Sequence, residues 1–334
     1  MTRHRTLDRT LRVAVCLGAI LAAGCGGDDD TPAPPELLQI TTTNQAAVAK
    51  ATALNFASLD SVRDAGDIGA PAAPQGAAVA DSAKYALGKA IAAASRRYPL
   101  DTISGTLPCP SGGLIEITLD DRDNSKGPSA GDVLTAKFNN CREDPFSQIK
   151  GDFSVNIASY AQPVISGLFR FNQLTLSDPD GTIAVNGQAS IDYAVSLDSA
   201  GTSTTRVDMK VPAGGLVCAV ETAAYKETFT YDPDFSALWN DVSPATAPGY
   251  STSVLNGKVA FASLGKVLLA TDPPFRDVWE EDGPQSGAVL ITGYQSRLRV
   301  SVVNTTTARL ELDANNDGTY ESTRDVPWSE LLPF

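Results

Sequence analysis

The spacing of apolar and polar residues changes character along the chain. Residues 44–62, NQAAVAKATALNFASLDSV, are alanine-rich with Thr43 available as an N-cap, and predict a helix. Residues 77–97 predict a second. Val79, Ala83, Ala86, Leu87, Ala90, Ile91 and Ala94 recur there at three- and four-residue steps. Arg96 and Arg97 suit the negative end of that helix, and Pro99 stops it. The loop between the two holds Gly66, Gly69, Gly76, Pro71 and Pro74.

From residue 101 the period becomes two. GLIEITL, DFSVNIAS, LFRFNQLTLS, TIAVNGQASIDYAVSL, TTRVDMKV, KETFTY, KVAFAS, AVLITG, LRVSVV and ARLELD alternate or nearly so. Short turns such as SDPDGT and NNDG separate them, which predicts an antiparallel meander. An apolar–polar–glycine pattern recurs at Gly105, Gly151, Gly167, Gly187, Gly257 and Gly293. Glycine inside a strand permits a bulge or a sharp bend, so the expected sheet is strongly coiled, a half-barrel or barrel-like. The fold class expected is therefore mainly β with two N-terminal helices.

A second repeat is longer. Asp232-Pro233-Asp234-Phe235-Ser236-Ala237-Leu238-Trp239 returns forty residues on as Asp272-Pro273-Pro274-Phe275-Arg276-Asp277-Val278-Trp279. It reads as a duplicated strand–cap–strand unit. Phe235, Trp239, Phe275 and Trp279 are expected to plug the ends of the sheet's core, or alternatively to line a ligand mouth.

The N-terminus has a different logic. Arg3, Arg5, Arg9 and Arg12 precede the uncharged run VAVCLGAILAAG. Twelve residues of helix reach about 18 Å, short of a bilayer core of about 30 Å, so the segment reads as a secretory signal peptide. Leu21-Ala22-Ala23-Gly24-Cys25 resembles the lipobox of bacterial lipoproteins. That resemblance implies cleavage after residue 24, lipidation of Cys25 and a membrane anchor. With Gly26 rather than an acid after the cysteine, it implies the outer membrane facing the periplasm, surface exposure being the alternative. The expected organisation is a signal peptide (1–24), a lipidated tether (25–40), a helical segment (41–100) and a β domain (101–334).

Loss of residues 1–24 takes the formal charge from −13 to −16, which repels nucleic acid. A charged fraction of 19% beside 43% hydrophobic residues indicates a folded body. In an oxidising compartment Cys109 and Cys141 are the favoured pair, closing a turn-rich excursion. Cys218, within LVCAV, reads as a buried free thiol, with pairing elsewhere the alternative.

The sole histidine, His4, leaves with the signal peptide, so imidazole-based nucleophilic and zinc chemistry is excluded from the mature chain. Ser147-x-x-Lys150 and Ser263-x-x-Lys266 have acylase spacing without the partner motifs. Asp313, Asn315, Asp317 and Glu321 place oxygens at calcium-loop positions with Gly318 at the sixth, although Arg324 stands where a bidentate acid belongs. Calcium and a plain polar hairpin are both open there, and no cofactor is required. The readings in order are a non-enzymatic envelope scaffold, a carrier of an apolar ligand such as a lipid, and a carboxylate-based hydrolase. The partners expected are the membrane, through the anchor, and an unidentified envelope protein or apolar ligand.

Overall fold

A computed structural model describes residues 36–63, 102–142, 145–161, 164–179, 181–279, 281 and 283–331. The period-two stretches form one antiparallel sheet of seventeen strands. It begins as a plain meander in which each strand pairs with the next: β1 (Thr102–Pro108), β2 (Leu114–Asp120), β3 (Val133–Cys141), β4 (Gln148–Ala161), β5 (Val164–Ser177) and β6 (Gly181–Leu197). Alternation puts Ile115, Ile117, Leu119, Leu134, Ala136, Phe153 and Val155 on the buried face. Phe138, Phe153, Phe169 and Phe171 form an aromatic row there, with neighbouring rings 6.1 to 6.5 Å apart. The Cys109–Cys141 disulfide forms as expected and ties the start of the β1–β2 turn to the end of β3. Cys218 is a buried free thiol.

Beyond β6 three lanes of the sheet are each made of two short strands. Residues 181–187 of β6 pair with β8 (Leu216–Thr222), and residues 190–197 pair with β7 (Ser203–Lys210). β9 (Lys226–Tyr231) lies beside β8, and β10 (Ser236–Ser243) beside β7. Both then pair with β11 (Tyr250–Phe261), so β6, β7, β10, β11, β9 and β8 close a ring around the break. On its other edge β11 takes β12 (Gly265–Thr271) and β13 (Phe275–Val278). β14 (Ala288–Gly293), β15 (Ser296–Asn304), β16 (Thr307–Asp313) and β17 (Ser322–Pro327) complete the sheet.

The breaks line up. Gly187, at φ 106°, sits where the chain steps from β7 to β8, and a Cβ there would lie 2.5 Å from the Gly215 carbonyl oxygen. Gly257, at φ 122°, sits under the step from β9 to β10, and a Cβ would lie 2.7 Å from Phe235 Cα. Gly151 and Gly287 continue the same line against Gln173 and Phe275. A left-handed residue in one strand facing a bulge in the next is a crease, and it bends the sheet across all its lanes.

This crease explains the octapeptide repeat. Asp232–Phe235 divides β9 from β10, and Asp272–Pro274 divides β12 from β13, which Phe275 opens. Each phenylalanine closes over a glycine in, or just ahead of, the strand that follows. The repeat thus marks mid-sheet breaks, not plugs at the sheet's ends. Of the six glycines in the shorter pattern, Gly151, Gly187 and Gly257 are left-handed crease residues. Gly105, Gly167 and Gly293 are not.

The bent sheet curls around α1 (Gln45–Arg63), which touches β6 and β8 on one side and β15 and β16 on the other. Val48, Ala49, Ala51, Leu54, Leu59 and Val62 are buried. The Tyr231 hydroxyl donates to Asn55 Oδ1 at 2.5 Å, the Tyr193 hydroxyl donates to the Arg63 carbonyl, and Phe56 meets Phe275 edge-on at 5.1 Å. The first turn is capped two residues ahead of the expected position. Thr41 accepts the Gln45 N–H at 3.0 Å, while Asn44 Oδ1 reaches back to the Thr41 N–H at 2.8 Å, one half of a capping box. Residues 38–40, counted with the tether, are fastened to the sheet: Leu38 donates to Lys266 O at 2.7 Å and accepts from Tyr294 N at 2.8 Å. A short α2 (Trp328–Leu331) packs Trp328 and Leu331 beside α1. The second expected helix, 77–97, lies outside the described residues, as do the signal peptide and Cys25.

The crease makes a contrast between glycines. Gly257→Ala should destabilise by about 3 kcal/mol or more, combining backbone strain with a clash against backbone atoms. Gly105 is not left-handed and has open space around it, so Gly105→Ala should fall within about 0.5 kcal/mol of the parent. Chemical denaturation of the two variants checks both values. Equal effects would remove the crease as the reason for the repeat.

Candidate functional site

On α1, Ala49, Ala53 and Ala57 follow one another at four-residue steps, so they share one helix face. That face lines a pocket of about 230 Å³. Phe56, Trp239, Phe275, Val289, Val300 and Trp328 supply most of its other walls. Two of the four repeat aromatics therefore line a pocket. The other two do not. Phe235 is fully buried with its ring 4.7 Å from that of Tyr231. Trp279 covers Gly249 and donates its indole N–H to Ser251 Oγ at 3.2 Å.

The pocket also contains Asp277, from β13. Its carboxylate makes no hydrogen bond or ion pair among the described residues. Burial pushes its pKa up to about 6. Sequence reasoning passed over this residue, yet a signal was present. In the first copy of the repeat the matching position is Ala237, which is 1% exposed. An acid at an inward-facing position where the sister copy buries alanine is a chemical exception within a structural repeat.

The loop after β16 gathers three of the four residues expected for calcium. Carboxylate oxygens of Asp313, Asp317 and Glu321 lie within 4.8 Å of one another. Asp313 accepts the N–H groups of Asp317 at 3.1 Å and Gly318 at 2.9 Å. Asn315 Oδ1 accepts the Asp317 N–H at 2.9 Å, and Glu321 accepts the Ala314 N–H at 2.7 Å. The Thr319 N–H holds the Asp317 carboxyl below the usual range.

A second loop, which sequence reasoning did not single out, repeats this bonding after β2. Asp121, Asp123 and Asp132 approach one another as closely. Asp121 accepts the N–H groups of Ser125 at 3.0 Å and Lys126 at 2.7 Å. Asp123 accepts the Ser125 N–H at 2.9 Å, and Asp132 accepts the Arg122 N–H at 2.9 Å. In both loops the leading aspartate takes the amides four and five residues ahead, and the distal acid takes the amide beside the leader. Asn124 and Lys126 in one, Asn316 and Gly318 in the other, are left-handed at the same places. Lys126 in place of glycine, and a more distant third acid, hide the kinship in sequence. The Ser129 hydroxyl, followed by Ser125, holds the Asp123 carboxyl down to about 2.

The two Ser-x-x-Lys spacings do not form a site. The Ser263 hydroxyl and N–H both donate to Glu227, while Lys266 pairs with Asp232 at 2.8 Å and Glu36 at 3.2 Å. Lys150 is exposed on β4, whereas Ser147 just before it is 8% exposed. Comparison with protein-family models, with curated proteins and with solved structures returns no match.

Asp277 has a pH signature. Its folded pKa near 6 exceeds the ordinary 3.8, so between those values the folded chain holds a proton the unfolded chain has released. Stability is favoured below about pH 4 and lost as pH rises through 6. Asp277→Asn should therefore raise the melting temperature at pH 7.5, with the gain vanishing near pH 4. A two-unit shift caps the gain at about 3 kcal/mol, and partial exposure reduces it. Melting curves of parent and variant across pH 4–8 read this directly.

Proposed function

We propose that this chain is a lipid-anchored protein of the bacterial envelope that works by binding, with its β body as a rigid interaction scaffold. The observation that carries this reading is the filled interior: α1 occupies the space inside the curled sheet, leaving the outer surface for partners. The Cys109–Cys141 disulfide supports an oxidising compartment such as the periplasm. Gly26 after the lipobox cysteine supports the outer membrane, as the resemblance implies.

The carrier reading has less support. A pocket of about 230 Å³ is smaller than the roughly 300–1,000 Å³ of drug-sized ligand sites, and lipids are larger still. The hydrolase reading requires two carboxylates about 5 to 10 Å apart in a cleft. Among the described residues that line the pocket, Asp277 is the one acid.

Two experiments test the proposal. Growing bacteria should incorporate labelled palmitate into the parent chain and not into Cys25→Ser, which should leave the membrane fraction. A Cys25→Ser chain that stays with membranes would end the anchor reading. Calcium at Asp313, Asn315, Asp317 and Glu321 belongs to the same proposal, supported by the carboxylate spacing, with affinity of about 10⁻⁴ to 10⁻³ M as in other extracellular modules. Calorimetry should show saturable heat that Asp317→Asn weakens. Identical melting in EDTA and in millimolar calcium, with no heat, would reduce the loop to a self-bonded hairpin.

A further inference from the structure

The pocket under α1 combines two features that ordinary packing does not. Its walls are aromatic: Trp239, Phe275, Trp328 and Phe56. Its one acid, Asp277, is largely desolvated and unpaired among the described residues. Close-packed interiors bury a carboxylate only beside a hydrogen-bond donor or a cation, because an isolated charge there costs far more than any packing gain. The neighbouring arginines are engaged elsewhere. The Arg63 guanidinium lies 5.9 Å from the Trp239 ring but pairs with Asp241 at 3.9 Å. Arg276, next in sequence to Asp277, stacks 4.2 Å from the Tyr250 ring and donates to Gln285.

We propose that this pocket binds a small organic cation, an ammonium group on a compact apolar body, with Asp277 as counter-ion and Trp239, Phe275 and Trp328 as the aromatic wall. Aromatic faces attract cations through their quadrupole, and the attraction strengthens when water is excluded. The carboxylate supplies what the rings lack, a full opposite charge. Size sets the class further. At about 30 Å³ per heavy atom of liquid-like volume, 230 Å³ holds about seven or eight heavy atoms. That admits a choline-sized ammonium and excludes a lipid. The alanines of α1 make the room: larger side chains at Ala53 or Ala57 would fill the space the ligand occupies. The inference goes beyond the scaffold reading and does not depend on the anchor.

The test uses the full chain in a non-ionic detergent at pH 7.5. Choline, tetramethylammonium and butylammonium are titrated beside 3,3-dimethylbutan-1-ol, the neutral isostere of choline, with heat and tryptophan fluorescence as readouts. Saturable binding of at least one ammonium is expected, with the neutral isostere weaker by about tenfold or more. Asp277→Asn should lose the same factor while keeping a cooperative melt. Ala53→Leu, which occupies the pocket and leaves the carboxylate alone, should abolish binding. Equal affinity for choline and its isostere, or an Asp277→Asn protein that binds as well as the parent, overturns the proposal. So does a folded parent that saturates with none of the three cations. Loss of the lipid anchor in the Cys25→Ser chain would leave every one of these results unchanged, so the two readings fail separately.

Discussion

Everything in this molecule depends on one constraint of backbone geometry. A sheet this wide buries its apolar face only by curling, and here the bend is fixed by left-handed glycines set against strand breaks. Gly187 and Gly257 can adopt φ above 100° only because they lack a Cβ, and the neighbouring chain occupies the space a Cβ would need. The consequence propagates laterally. Once one lane is bulged, the next stays in register only by bulging at the same height. The crease therefore runs from β4 to β14 as a single feature.

The crease creates the interior, and the interior needs a helix. A sheet curled this far encloses more volume than its own side chains fill, while unpaired backbone inside it would be costly. An α-helix answers both demands, since its backbone bonds are internal and its diameter is about 10 Å. α1 is correspondingly buried on nearly every side, down to polar residues such as Asn55 and Ser58 that bond to Tyr231 from the sheet. Its alanines set the fit. Leu54 and Leu59 are fully buried in the core, while the face carrying Ala49, Ala53 and Ala57 lines the pocket that contains Asp277.

Much of this was legible in the sequence, and what was not has a common cause. Period-two alternation located ten of the strands, because each buries one face, and the turn-rich excursion between Cys109 and Cys141 located the disulfide. The octapeptide repeat was visible too, but its meaning was not. Whether Asp-Pro-x-Phe joins two strands or breaks one depends on a glycine further along the chain, Gly257 beneath Phe235 and Gly287 beneath Phe275. That pairing is a non-local fact, so the motif read as a plug instead of a crease. Asp277 escaped for the same reason: its chemistry comes from desolvation by α1, which lies far earlier in the chain. The acidic loop at Asp121 hid behind Lys126, which takes a left-handed conformation that sequence rules assign to glycine.

The first described residues, ahead of α1, complete the physical picture. Leu38 bridges Lys266 on β12 and Tyr294 in the β14–β15 turn, and Ile40 donates to Ser296 Oγ at 2.8 Å. Just outside, Glu36 meets Lys258 at 3.1 Å and Lys266 at 3.2 Å, and those lysines hold its carboxyl below the usual range. The ion pairs are exposed and individually weak, but the backbone bonds beneath them are part of the sheet edge. Strain applied at residue 36 would load β12 and the β14–β15 turn before it reached α1. The segment ahead of α1 is thus held by the sheet itself, independently of the helix that fills it.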